Sequence, residues 1–143
     1  GFVDEVAAAA RDAGAPDLGL DGLRGAVEAW RAAGARLNEI RDRALREGPP
    51  DPGGWREANR RLLEVERQLL HPDGIPGRPW FRQLVYAPRF TYAPEVLPGV
   101  AEAVRDRDWA RARVQVGRLQ DAIDRARAKT LDAAALLGAG PTR

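Results

Sequence analysis

A chain of 143 residues, 44% hydrophobic and 31% charged, is long enough to bury one core and too short for two. The pI is near 9.6, yet 21 acidic residues are interspersed among 23 basic ones for a net charge of +2, so runs such as Arg105-Asp106-Arg107-Asp108 read as solvated helix surface and exclude a phosphate track. The absence of cysteine excludes disulfides and thiolate metal sites, and no apolar run approaches the roughly 20 residues that cross a bilayer. In chain order, Phe2 to Ala13 reads as a short alanine-rich helix ended by Gly14-Ala15-Pro16. A second helix is expected from Asp21, a candidate N-cap, to Arg46, with Leu23, Ala26, Trp30, Ala33, Leu37, Ile40 and Ala44 spaced three or four apart. The Gly48-Pro49-Pro50-Asp51-Pro52-Gly53-Gly54 run stops it. A third helix is expected from Trp55 to Leu70, with Trp55, Ala58, Leu62, Val65 and Leu69 on one face; Asn59 and Glu66, beside that face, read as edge residues reaching solvent, the alternative being a half-buried, hydrogen-bonded pair that fixes the packing.

Residues 71–98, HPDGIPGRPWFRQLVYAPRFTYAPEVLP, break the helical pattern with six prolines. The same stretch holds Trp80, Phe81, Tyr86, Phe90 and Tyr92, five of the nine aromatics in the chain, so it is expected to be an ordered, packed loop. Loops longer than about 15 residues without regular structure are uncommon and often functional, which makes this the place to seek function. Pro98-Gly99-Val100 starts a short helix to about Arg105, and the last long helix is expected from about Asp106. Trp109, Ala112, Val116, Leu119, Ile123, Ala126, Thr130, Ala133 and Leu137 form its stripe. The expected fold is therefore all-α: a helical bundle of about four principal helices with a long ordered Pro/aromatic-rich loop before the last one. Trp30, Trp109 and Leu119 are expected in the domain's own core rather than in an interface.

Catalytic chemistry is hard to assemble from this composition. His71 is the only histidine, so His71 and Asp73 supply two metal ligands at most, and any Ser-His-Asp-type triad would need that same residue. The side-chain hydroxyls other than tyrosine are Thr91, Thr130 and Thr142, none with a base beside it. Glu57 and Glu64 read as surface charge rather than an acid–base pair. No glycine-rich phosphate loop follows a strand. The chain by itself is read as non-catalytic, with no cofactor and no nucleic-acid partner.

A set of landmarks carries more. Asn59-Arg60-Arg61-Leu62-Leu63-Glu64-Val65-Glu66-Arg67 is followed by Gly74-Ile75-Pro76-Gly77-Arg78-Pro79-Trp80-Phe81-Arg82, then Tyr86-Ala87-Pro88, Tyr92, and Leu97-Pro98-Gly99-Val100. In order and spacing this resembles the C-terminal helical domain of the transferrin receptor and glutamate carboxypeptidase II group. There a "Gly-Leu-Pro-x-Arg-Pro" turn, a "Tyr-Ala-Pro" step and a "Phe-Pro-Gly-Ile" helix start follow one another. The resemblance implies one dimerisation domain over 1–143, a piece of a larger peptidase-like protein, as the initial Gly1 also suggests. It implies two partners, a second copy of the chain and the peptidase domain of the parent, with zinc held in that absent domain. It favours an extracytoplasmic or secreted setting. A stable two-fold interface would bury on the order of 1,200 Å² or more.

In active members of this group the long loop reaches the substrate cleft, where a Lys-Tyr pair holds a substrate carboxylate. The tyrosine falls on Tyr92 and the lysine position on Thr91, a departure: a hydroxyl gives no charge-assisted contact, which puts glutamate-type specificity in doubt. Tyr92 is read either as a substrate donor or as an aromatic packed under the loop. Arg78, retained in the family turn, is expected to order the loop. The alternative to a peptidase's dimerisation domain is a free-standing helical adaptor.

Overall fold

The computed structural model describes residues 1–47, 52–88 and 94–138. The helices are α1 (Phe2–Asp12), α2 (Leu20–Glu47), α3 (Pro52–Val65), α4 (Pro98–Arg105) and α5 (Trp109–Gly138); a 3-10 turn, Glu66–Leu69, follows α3, and two short strands, β1 (Tyr86–Pro88) and β2 (Pro94–Val96), precede α4. The mostly helical expectation holds, with differences at the ends and in the loop. Asp21 is not the cap of α2, which starts one residue earlier. The backbone reverses at Gly19, whose N–H donates to Asp17 Oδ1 at 2.8 Å, and Gly19 C=O accepts from Leu23. Asp21, inside the first turn, instead pairs with Arg24. α3 begins at Pro52, since a proline loses nothing at the first position of a helix, and its expected last turn tightens to 3-10. α5 starts at Trp109 because Asp108 caps it: its Oδ1 accepts from Arg111 N–H at 3.0 Å and its carbonyl from Ala112 at 2.9 Å.

The chain forms two compact units, Gly1–Ala26 with Leu69–Ala122, and Val27–Gln68 with Ile123–Arg143, so each long helix contributes to both. In the first unit Leu23, Ile75, Leu119, Val100 and Ala103 are buried, and α1 packs on α4. In the second, Ala58, Ala133 and Leu137 form a buried cluster against which Leu37, Ile40, Trp55 and Leu62 pack. Small residues at 58 and 133 let α3 and α5 approach closely. The one lysine, Lys129 on α5, reaches Glu64 on α3 at 2.7 Å. Leu119 is core as expected, whereas Trp30 and Trp109 are only half-buried. Trp30 keeps one edge wet and donates Nε1–H to Thr130 Oγ1 at 3.0 Å. Asn59 and Glu66 are exposed, at the edge of the apolar face.

Candidate functional site

The proline-rich segment after the 3-10 turn is folded by its own backbone. His71 N–H donates to Arg82 C=O and Leu84 N–H to Leu69 C=O, at 2.9 and 3.0 Å, so the segment leaves and returns as a narrow loop. Inside it, Ile75 N–H meets Phe81 C=O and Arg78 N–H meets Ile75 C=O, at 2.9 and 3.0 Å, which buries Ile75. Gly74 makes the close approach possible. Its φ is +66°, and a Cβ there would stand 2.3 Å from the Pro79 carbonyl oxygen. His71 turns its Nδ1 to the Asp73 N–H at 3.2 Å, while Asp73 Oδ2 also meets Arg118 on α5 at 3.3 Å. His71 and Asp73 are thus spent on the turn and on α5, and among the described residues no three His, Cys, Asp or Glu side chains converge.

After this loop the chain forms a strand pair that the sequence did not announce. β1 and β2 are antiparallel with Tyr86 opposite Val96, Ala87 opposite Glu95 and Pro88 opposite Pro94. Ala87 is buried, and Leu97 N–H donates to Val85 C=O at 2.7 Å at the end remote from the chain connection between the strands. Leu97 then takes a left-handed conformation, φ 48° and ψ 52°, to turn the chain into α4. Pro98-Gly99-Val100 follow as the first turn of the helix, all buried. A Cβ at Gly99 would meet Gln115 Oε1 at 2.7 Å, so a larger residue there would require the Gln115 side chain to shift.

Four charged residues join the strand pair to the loop and to α4. Arg78 donates Nη1–H to the carbonyl of Pro88, the last residue of β1, and pairs through Nη2 with Glu102 on α4. Its guanidinium also lies 5.8 Å from the Phe81 ring centroid, within cation–π range. Glu95 on β2 pairs with Arg105, one turn further along α4. Exposure of the side chains of Arg78, Glu102 and Glu95 is only 18, 20 and 12%, against 41% for Arg105, so these are partly desolvated pairs and not surface decoration. Burial pushes the Glu102 carboxyl above its ordinary range, and the neighbouring Glu95 adds to this, while Arg78 and Arg105 pull it back.

Of the residues singled out in the sequence, Arg78 sits in this cluster, and Thr91 and Tyr92 lie outside the described residues, between Pro88 and Pro94. Glu95, Glu102 and Arg105 escaped the sequence reading. Their partners are 10 and 24 residues away across a loop, and no helical spacing signals such pairs. The loop aromatics divide: Phe81 is half-buried beneath Arg78, but Trp80 and Tyr86 stand 72% and 55% exposed. An open groove of about 490 Å³ runs between α1 and the β2–α4 segment, lined by Phe2, Val6, Val96, Ala101, Val104 and Arg105 among others.

Comparison with known proteins places this arrangement. Residues 18–131 match the transferrin receptor-like dimerisation domain. The probable glutamate carboxypeptidase VP8 of Zea mays is 44% identical over 48 residues, 32% of this chain and 7% of that protein. The aminopeptidase NAALADL1 of Rattus norvegicus is 33% identical over 87 residues, 61% of this chain and 11% of that protein. The inactive zinc metalloprotease C354.09c of Schizosaccharomyces pombe is 32% identical over 69 residues, 48% and 9% respectively. The matched stretch is thus a small share of each relative. With most of its length covered by the one match, the chain belongs to the family of transferrin receptor-like dimerisation domains.

Proposed function

We propose that this chain is the homodimerisation domain of a larger glutamate carboxypeptidase-like metallopeptidase, silent in catalysis by itself, with its long loop lining the substrate cleft of the whole protein. The observation that carries the reading is the family match from residue 18 to residue 131, in a chain that spans about a tenth or less of the relatives it matches. Zinc in such a protein is assigned to the peptidase domain, since the one histidine here is held by its own turn. Tyr92 is the residue assigned to substrate, as a phenolic donor. With Thr91 in place of an ammonium, the preferred substrate would carry less negative charge at that end than glutamate does.

Light scattering of the chain across a dilution series tests the first half. A dimer that persists at low micromolar protein supports self-association through this domain; a monomer at every concentration rejects it for the isolated chain. The loop is tested in the full-length protein, where Tyr92→Phe is expected to reduce kcat/KM by roughly tenfold, the loss of one hydrogen bond to a charged group. Unchanged kinetics would remove Tyr92 from the cleft.

A further inference from the structure

The β1–β2 pair is too small to hold itself in place. Three residues per strand, with prolines facing each other at the end where the chain connects the strands, leave few ladder hydrogen bonds, and an isolated two-stranded pair is marginal in water. Yet each strand is tied separately to α4 by a carboxylate–guanidinium contact. Arg78 bridges the end of β1 to Glu102, and Glu95 of β2 holds Arg105. Both carboxylates also act on each other, so the four charges form one network rather than two independent pairs.

We infer that Glu95, Glu102 and Arg105, with Arg78, are a clamp that positions the β1–β2 pair, and through it the segment joining the two strands, for substrate in the whole protein. This rests on the reading that the loop lines the substrate cleft. None of the four is assigned to touch substrate. Their task is to remove the freedom of a strand pair whose connection carries Thr91 and Tyr92.

Two readouts test the clamp. In this chain, Arg105→Glu sets two carboxylates against each other, and hydrogen exchange at the Leu97 amide, bonded to Val85 C=O, is expected to accelerate by about tenfold or more while α5 amides stay unchanged. The charge-exchanged pair Glu95→Arg with Arg105→Glu should restore protection. Unaltered exchange at Leu97, an equal acceleration in α5, or no restoration by the exchanged pair would each overturn the clamp. In the full-length protein, Arg105→Glu is expected to raise KM about tenfold with kcat within about twofold, again restored by the exchanged pair. If Tyr92→Phe alters the kinetics and Arg105→Glu does not, the cleft reading survives and the clamp fails. If Tyr92→Phe leaves them unchanged, the cleft reading fails and the positioning role falls with it, whatever the exchange shows.

Discussion

Single positions in this domain are set by clearance and by charge, and both give measurable consequences. Gly74→Ala forces a Cβ against the Pro79 carbonyl in a left-handed backbone, with no flexible atom to yield. It should destabilise the chain by about 1–3 kcal/mol in urea unfolding. Gly25→Ala is the control of opposite sign: it sits on the exposed side of α2 with nothing within 4 Å, and alanine there should stabilise by about 0.4–1 kcal/mol. The Gly-Ile-Pro-Gly-Arg-Pro motif was legible in sequence, but the carbonyl that makes Gly74 obligatory comes from a fold-back no periodicity encodes. Glu102 behaves differently from the exposed acids. Its pKa is raised in the folded state, first by burial, so folding favours its protonated form. That contribution is fully present below the ordinary carboxyl pKa and lost as pH rises through the raised value. Glu64 runs the other way, lowered first by its hydrogen bond from Lys129, with a contribution lost as pH falls through the lowered value. Glu102→Gln should therefore remove the decline of stability that Glu102 contributes above about pH 4.5, leaving the acid-side loss intact in pH-dependent urea unfolding.

At the scale of elements, apolar spacing announced the helices, while their ends and the strand pair needed more. The stripes of α2 and α5 were readable because a step of three or four keeps one face inward over many turns. Ends were displaced where a local hydrogen bond beats the pattern: Asp17 on Gly19 before α2, and Asp108 on Arg111 before α5. The strands were invisible for a physical reason. Tyr-Ala-Pro and Pro-Glu-Val are too short to alternate, and the charged side chains that contact them, from Arg78 and α4, lie far off in sequence. One polar contact on the stripe itself is open to test. Thr130 Oγ1 receives the Trp30 indole N–H at 3.0 Å and donates to Ala126 C=O at 2.9 Å, in a residue only 4% exposed. Thr130→Val keeps the shape and strands the indole donor, so it should cost about 1–2 kcal/mol in chemical denaturation, while Thr130→Ser retains the contact and most of the stability.

For the whole molecule, the family assignment turns on landmarks scattered over the chain, and their functional meaning turns on association. Sequence order alone exposed the family, because the turn, the Tyr-Ala-Pro step and the α4 start keep their spacing. It did not reveal which surface associates: Trp80 was expected to pack within the loop and stands exposed, and Leu45 and Leu63, off the apolar stripes of α2 and α3, are exposed as well. Association leaves a signature that needs no knowledge of the interface. If unfolding is coupled to dissociation, mass action makes the folded dimer more stable by about 2.7 kcal/mol per hundredfold rise in protein concentration. For a dimer of chains this size, with an unfolding enthalpy of about 0.7 kcal/mol per residue, that is a rise in Tm of roughly 5 °C. The expected result is such a rise between micromolar and hundred-micromolar protein, measured by far-UV circular dichroism. A Tm independent of concentration would mean that the folded chain melts as a monomer, and that its own surface does not suffice for self-association.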